Sequence, residues 1–350
     1  MEVMTDNMSL SKKKREEIFN DILDTILKNP ADVVGVIAKK HNISSQTVYK
    51  YLKILEKENK IKSSDNSKKK GKMYFLKENT YTFEFLPEEL KEDVVWIEKI
   101  KPVLPQMPKN VYDICMFGFC EMLNNAIEHA QATKINVYVE YSPLSIRFFI
   151  LDDGIGIFKK IQNYLSLPDP RYSVIELAKG KITSDPARHS GEGIFFTSKA
   201  FDFFIILSNG IVFKHNLEEN LLDEYRELKE IGGTAVIMGI DFNSTKELIK
   251  IFDEYTQSDN KSFIKTKVPI KLMRNEGMEL ISRSQARRLA SGFEKFAHVT
   301  LDFEGVEIIG QAFADELFRV FPSFHPDIHL EPINTNENVR KMIAHVLNNK

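Results

Sequence analysis

The chain has 350 residues, more than twice the roughly 100–150 residues typical of a single domain, so two or three domains are expected. Its composition, with 43% hydrophobic and 28% charged residues, excludes collagen-like, low-complexity and wholly disordered proteins. The net charge of −2 is unevenly distributed, because residues 1–80 carry +6 and residues 81–350 carry −8. This asymmetry indicates a polyanionic partner for the N-terminal part, although a solvated lysine-rich surface would give the same count.

The two cysteines, Cys115 and Cys120, provide neither a disulfide framework nor the four ligands of a structural metal site. The longest apolar stretches fall far short of the ~20 residues of a membrane-spanning helix. The first ten residues lack the apolar core of a secretion signal. We therefore expect a cytoplasmic protein with no membrane partner.

The first predicted domain covers residues 1–80. Apolar residues at spacings of three and four predict a helix over 18–27, and a second short helical pattern covers 33–38. Ser44 or Ser45 can cap a third helix. Two short strands then enclose a basic segment. The predicted order is three helices followed by a hairpin.

This order resembles the winged helix-turn-helix family over roughly residues 14–77. Many members of that family bind DNA, whereas others are protein-interaction or dimerisation modules. The sequence leaves this second role open. The resemblance implies that the third helix reads bases, that the hairpin contacts phosphates and that the protein is a homodimer. The candidate DNA-binding residues are Ser45, Gln46, Thr47, Tyr49, Lys50 and Lys53 on the helix, and Lys68, Lys69, Lys70 and Lys72 on the hairpin.

The second predicted domain covers residues 81–245 and opens with a helical pattern over 111–130. Its polar residues Glu121, Asn125, Glu128 and His129 fall on one face. A carboxylate there can act as a base, and an amide oxygen is a hard ligand that suits Mg²⁺. From these four residues alone, a solvated helix face is the simpler interpretation.

Three glycine-containing segments follow in order. A strand pattern over 145–151 runs into Asp152, Gly154 and Gly156, where a carboxylate can accept the amino hydrogen of adenine. Gly191 and Gly193 stand where a helix begins, and the amides at a helix N-terminus suit a polyphosphate. Gly232, Gly233 and Thr234 then open a late strand over 235–240.

In this combination and order, these features resemble the GHKL ATP-binding family over about residues 110–240. That family includes gyrase-type ATPases, MutL, sensor kinases and anti-sigma-factor kinases. The resemblance implies ATP and Mg²⁺ as cofactors, with Asn125 as the metal ligand and Glu121 as the catalytic base of hydrolysing members. The other implied ATP-binding residues are Glu128, His129, Asp152, Gly154, Gly156, Gly191, Gly193 and Thr234, with Lys179, Lys181 and Arg188 as candidates to offset the triphosphate charge.

An ordinary sensor histidine kinase is disfavoured. Such a kinase needs a phosphoacceptor histidine ahead of the ATP domain, and His41, inside the helix-turn-helix, is the only histidine before the site helix. The run from Glu121 to His129 is more similar to the anti-sigma kinases.

The third predicted domain covers residues 260–350, where strands and helices alternate. The segment 299–314 resembles STAS domains, and more closely the STAS-like domain of unknown function found after GHKL ATPases. STAS antagonists carry a phosphorylated Ser or Thr at the start of the following helix. Residues 301–321 contain neither, and the matching positions read Gly310, Gln311 and Ala312. We therefore expect an interaction surface for a protein partner or a sensor of the ATP domain, with a purely structural domain as the alternative.

The expected fold class is multidomain α/β: a winged helix-turn-helix, a GHKL (Bergerat) two-layer α/β sandwich and a STAS-like α/β module. The expected function is an ATP-binding, ATP-responsive DNA-binding transcriptional regulator in which the STAS-like module signals or interacts. The alternative is an enzyme acting on a separate protein, either an anti-sigma-type Ser/Thr protein kinase or a GHKL ATPase.

Overall fold

The computed structural model describes residues 2–65, 72–182, 191–215, 232–256, 262–273 and 280–348, with side chains from Lys13 onward except that of Asp65. Within these residues the chain forms a mixed α/β fold with three sheets of two, three and six strands. No helix in these ranges combines the length and the apolar character needed to cross a membrane.

The N-terminal part consists of α1 (Glu2–Lys28), α2 (Val33–His41), α3 (Ser45–Lys57) and an antiparallel hairpin of β1 (Ile61–Asp65) and β2 (Lys72–Leu76). Asn42 ends α2 in the left-handed conformation, with φ 51°, and so turns the chain toward α3. Ser44 caps α3, because its hydroxyl accepts a hydrogen bond of 3.2 Å from the Thr47 amide. The apolar stripes meet in a core of their own that buries Ile37 and Leu52. The order of these elements is the predicted one, but α1 begins at Glu2, well before the helix predicted over 18–27.

The central part is built on a six-stranded antiparallel sheet with the strand order β3-β4-β5-β8-β6-β7. Its strands are β3 (Asn79–Phe85), β4 (Ile135–Tyr141), β5 (Ser145–Asp152), β6 (Phe203–Ser208), β7 (Ile211–His215) and β8 (Thr234–Asp241). Asn79 pairs with Tyr141. The expected domain boundary at residue 80 therefore falls inside the first strand of this sheet.

Helices cover one face of this sheet. They are α4 (Glu92–Val95), α5 (Lys109–Asn124), α6 (Ile157–Leu165), α7 (Tyr172–Lys179), α8 (Gly193–Ala200) and α9 (Leu248–Tyr255); α4 continues as a π turn (Trp96–Ile100) and a 3-10 turn (Lys101–Val103), and α5 as a π turn (Asn125–His129). Side chains of β5 alternate between the two faces, so Ile146, Phe148 and Ile150 are buried. The ring centroids of Phe119 on α5 and Phe148 lie 5.6 Å apart. The helices and this face of the sheet therefore share one apolar core.

The C-terminal module contains a parallel three-stranded sheet in the order β11-β10-β9. Its elements are β9 (Lys265–Pro269), a 3-10 turn (Ile270–Met273), α10 (Arg283–Ala290), a 3-10 turn (Phe293–Lys295), β10 (His298–Asp302), α11 (Gln311–Asp315), a π turn (Glu316–Val320), α12 (Phe321–Phe324), β11 (His329–Ile333) and α13 (Glu337–Asn348). The sequence predicts a strand over 268–273. The strand instead ends at Pro269, whose ring nitrogen cannot donate to a ladder, and a 3-10 turn follows.

The C-terminal module shares its apolar core with three helices of the central part, α7, α8 and α9. Ile175 of α7 and Phe195 and Phe196 of α8 are buried in the same cluster as residues of the module. The ring centroids of Phe195 and Phe263 are 4.7 Å apart, and those of Phe263 and Phe296 are 5.4 Å apart. Helices of the central part are therefore packed directly against the module.

Candidate functional site

A cavity of about 310 Å³ lies between α5, α6, α7, α8 and the central sheet. Its volume falls in the range of about 300–1,000 Å³ found for small-molecule sites. The sequence-predicted residues that line it are Glu121, Asn125, His129, Asp152, Gly156, Gly191, Gly193 and Thr234. The rest of the wall is mainly apolar, with Met122, Ile150, Ile157, Leu177, Ile206 and Val236. The fold thus gathers residues from four separate segments around one space.

Asp152 ends β5 with a buried side chain on the cavity wall. Its Oδ1 accepts hydrogen bonds from the Gly154 amide at 2.9 Å and the Thr234 amide at 3.3 Å. The Thr234 hydroxyl accepts a hydrogen bond of 3.1 Å from the Ile157 amide. Burial raises the pKa of Asp152, and the hydrogen bonds from Gly154 and Thr234 oppose that rise. The carboxylate is held in one orientation, where it can accept a hydrogen bond from an amino group of a flat ligand.

The glycines around the cavity have two different roles. Gly156 and Gly191 adopt φ of 84° and 71°, a region that side chains disfavour. A Cβ atom on Gly191 would also collide with the backbone of Ile182. Gly154 does not line the cavity. A Cβ there would collide with the carbonyl oxygen of Ala130, so Gly154 instead lets the loop pack against the end of the π turn.

The polar face of α5 reaches the cavity only in part. Glu121 lies against the start of α8, because a Cβ on Gly193 would collide with its Oε2. Asn125 and His129 line the cavity from the π turn, whereas Glu128 does not. The i→i+5 hydrogen bonds of a π turn widen the helix, so the face differs from the one that regular α-helical spacing predicts. The expected direct role of Glu128 is therefore not supported.

Lys179 and Lys181, expected to face a triphosphate, do not line the cavity. The Lys179 ammonium is buried, pairs with Glu176 Oε1 at 2.7 Å and donates to the carbonyl oxygen of Ser291 at 2.7 Å. The Lys181 ammonium donates to the carbonyl oxygen of Lys295 at 3.0 Å. Both side chains turn toward the C-terminal module, because its carbonyl groups and aromatic rings surround them. Arg188 lies outside the described residues.

Lys160 lines the cavity and was not among the expected site residues. It lies on the first turn of α6, and its ammonium donates a hydrogen bond of 2.8 Å to the carbonyl oxygen of His129. Burial lowers its pKa. Its neighbour Lys159 is exposed and points away. The sequence shows both lysines shortly after Gly156, but only the orientation of α6 determines which of the two faces the cavity.

The N-terminal part presents the expected polar surface. Ser45, Gln46, Tyr49, Lys50 and Lys53 are exposed on α3, and Thr47 is half-buried beside its cap. Lys72 is exposed at the start of β2. The expected contacts at Lys68, Lys69 and Lys70 lie outside the described residues.

Glu17, Asp21 and His41 form a further cluster whose ligand-type atoms all lie within 4.8 Å of one another. Asp21 is already paired, because its two oxygens contact Lys40 at 2.7 Å and His41 at 2.6 Å. Burial acts to raise the pKa of Asp21, but the hydrogen bonds from Lys40 and His41 outweigh it and hold the pKa below its usual value. The ion pair of Asp21 with Lys40 and its hydrogen bond with His41 tie α1 to α2.

Comparison of the chain with curated proteins gives no match. Residues 285–340 match the sequence model of one family, described as a STAS-like domain of unknown function (DUF4325). The match begins within α10 and ends in α13, so it covers two of the three strands of the C-terminal sheet. Inside it, the helix after β10 begins at Gln311 with Gly310 as its cap, and no hydroxyl side chain stands at that position. The C-terminal part of the chain is therefore a STAS-like domain.

Proposed function

We propose that this chain is an ATP-responsive DNA-binding regulator, with ATP and Mg²⁺ in the central cavity and DNA on the N-terminal domain. One observation carries the ATP part. One cavity is lined by Glu121 on α5, by Asn125 on the π turn that follows it and by Asp152 at the end of β5. The start of α8, at Gly193, lines the same cavity. Each of these groups suits a different part of the nucleotide.

The assignment of the base follows from hydrogen bonding. An ionised carboxylate only accepts hydrogen bonds, so Asp152 favours the amino group of adenine and opposes the carbonyl group of guanine. The apolar wall formed by Ile150, Ile157 and Val236 suits a flat ring. The Asp152 side chain is buried, and this burial raises its pKa and strengthens a hydrogen bond that the carboxylate accepts.

The assignment of the phosphates rests on α5 and α8. The amide oxygen of Asn125 is a hard ligand of the kind that Mg²⁺ takes alongside phosphate oxygens. The first amides of α8, which begins at Gly193, have no partner within their own helix and suit an anion. We therefore expect Asn125→Ala to weaken Mg²⁺-dependent ATP binding far more than binding without Mg²⁺.

Calorimetric titration with ATP, with and without Mg²⁺, tests this site. Wild-type protein should bind ATP more tightly than GTP, and Asn125→Ala should lose the gain that Mg²⁺ provides. Asn163→Ala, at an exposed position near the end of α6, is the control. Equal affinity of the wild type for ATP and GTP, or no binding of either, would contradict the proposal.

DNA is the proposed partner of the N-terminal domain. Supporting this are the exposed Gln46, Lys50 and Lys53 on α3, the adjoining hairpin and the positive charge of residues 1–80. Selection of bound fragments from genomic DNA, with and without ATP, is the direct test. Gln46→Ala should then relax base preference by about 1–3 kcal/mol. Lys72→Gln should instead weaken binding to all sequences and reduce the slope of log K against log salt concentration by about 0.9.

Lys341→Gln, on the exposed surface of α13, is the control for both DNA-binding variants. Enrichment of no sequence under any nucleotide condition would make the N-terminal domain a protein-docking module.

A second candidate function is an enzyme that hydrolyses ATP or transfers its phosphoryl group to a separate protein. The contact between Glu121 and the start of α8 favours it, because it holds a carboxylate near the position proposed for the phosphates. A general base contributes about 10²–10⁴-fold to rate. Glu121→Ala should therefore retain nucleotide and lose turnover, measured as free phosphate and, separately, as phosphoprotein. Turnover of the variant at the wild-type rate would make Glu121 a structural acid.

A further inference from the structure

Residues 179–182 contact the cavity and the STAS-like module at alternate positions. Gly180 and Ile182 line the cavity. The alternate residues Lys179 and Lys181 form hydrogen bonds to the module through both their side chains and their backbone carbonyl groups. We call residues 179–182 the bridging segment.

The first anchor of the bridging segment is Lys179. Its ammonium group pairs with Glu176 at 2.7 Å, donates to the Ser291 carbonyl at 2.7 Å and lies 5.4 Å from the centre of the Phe293 ring. Its own carbonyl oxygen accepts a hydrogen bond of 2.7 Å from the hydroxyl of Thr266 on β9. Side chain and backbone of this residue are thus both held by the module.

The second anchor is a reciprocal pair. The Lys181 ammonium donates to the Lys295 carbonyl at 3.0 Å, and the Lys295 ammonium donates to the Lys181 carbonyl at 3.3 Å. Between the two anchors, Gly180 has φ 80° and lies against Phe263 and Phe195, where a Cβ would be closer than normal contact. At its end, the Ile182 amide donates to the Gly191 carbonyl at 3.2 Å, which joins the bridging segment to the residues just before α8.

We propose that ATP binding and docking of the STAS-like domain are coupled through the bridging segment, so that each strengthens the other. This inference rests on the proposed ATP site. Consecutive residues of one chain cannot move independently, so a change that undocks Lys179 and Lys181 also displaces the cavity wall at Gly180 and Ile182. Coupling of two binding equilibria is reciprocal: nucleotide must favour docking by the factor by which docking favours nucleotide. The docking equilibrium of the STAS-like domain therefore depends on whether nucleotide occupies the cavity.

The test weakens docking from the module side, at residues that do not line the cavity. Thr266→Val removes the hydroxyl that donates to Lys179 and keeps the shape of the side chain. Lys295→Met removes the ammonium that donates to Lys181. Each should reduce the affinity for ATP·Mg²⁺ by about two- to tenfold, the worth of one hydrogen bond. Thr300→Val, on the adjacent strand β10, is the matched control and should bind as the wild type does.

Hydrogen exchange of the full-length wild type supplies the reciprocal readout. Saturating ATP·Mg²⁺ should slow amide exchange in β9 and in residues 293–295, although neither lines the cavity. Thr266→Val should reduce this protection. Wild-type affinity in both variants, or ATP-independent exchange in these segments, overturns the coupling while leaving the ATP site intact. Failure of the wild type to bind ATP instead refutes the proposed function itself.

Discussion

At the scale of single residues, Asp152 gives the most specific pH dependence. Its raised pKa means that it takes up a proton at a higher pH than an ordinary aspartate with a pKa of 3.8. The ionised carboxylate accepts a hydrogen bond from the amino group of adenine more strongly than the protonated carboxyl group does. Affinity should therefore be constant at neutral pH and fall as the pH drops through the raised pKa.

Adenosine is the suitable probe, because it carries no titrating phosphate. Asp152→Asn should bind it weakly at every pH, since the amide replaces an acceptor with a group that also donates. A wild-type profile that is flat on acidification, or that persists unchanged in Asp152→Asn, would remove Asp152 from base recognition.

Lys160 gives a second prediction at this scale. Among the described residues, Lys160 is the lysine that lines the cavity, and its ammonium group donates to the carbonyl oxygen of His129. A positive charge there attracts the phosphates, so Lys160→Gln should weaken ATP and ADP more than adenosine. Lys159→Gln removes the same charge one residue away on the exposed side of α6 and should leave all three affinities unchanged. Equal effects of the two variants would indicate a general charge effect.

At the scale of secondary-structure elements, the buried pair of Glu176 and Lys179 should control the stability of the contact between α7 and the module. Burial lowers the pKa of Lys179, and Glu176 opposes this. Removing one partner leaves an unpaired buried charge, which costs about 3–5 kcal/mol. Lys179→Met should therefore destabilise the protein strongly.

The double variant Glu176→Leu, Lys179→Met tests whether the charge is responsible. Replacement of a whole buried pair by apolar side chains is often neutral. The double variant should therefore recover most of the loss in denaturant unfolding. If it is as unstable as Lys179→Met, the hydrogen bond from Lys179 to Ser291 rather than the ion pair dominates.

At the scale of the whole molecule, the division into cores predicts two unfolding steps. The N-terminal helices form their own core, whereas α7 and α8 join the core of the STAS-like domain. Leu52→Ala should therefore lower the stability of the N-terminal step alone, by about 2–5 kcal/mol. Leu289→Ala should lower the stability of the central and C-terminal parts together.

The single tryptophan, Trp96, separates these steps, because it is buried in the central core. Its fluorescence transition should be unchanged by Leu52→Ala and shifted by Leu289→Ala, while the helical circular dichroism signal reports both. A shift of the tryptophan transition in Leu52→Ala would show that the N-terminal and central cores unfold as one unit.

Much of the local structure was determined by the sequence alone. Apolar spacing predicted α1 to α3, and the alternating pattern before Asp152 predicted β5, because helical and strand periods follow from backbone geometry. Glu121, Asn125 and Asp152 line one cavity, and their grouping was implied by the family resemblance of residues 110–240 rather than by any one local pattern. The resemblance at the C-terminus anticipated the STAS-like match over residues 285–340.

The tertiary structure decided which charged side chains reach the cavity. Lys179 and Lys181 were candidates to offset the charge of a triphosphate, yet both are held by partners more than 80 residues away in the chain. Lys159 and Lys160 are adjacent residues of the same type. Only the packing of α6 places Lys160 at the cavity and leaves Lys159 exposed. A local pattern reports the period of the backbone. The direction of a long flexible side chain depends instead on distant groups that compete for its charge, and these come together only when the chain folds.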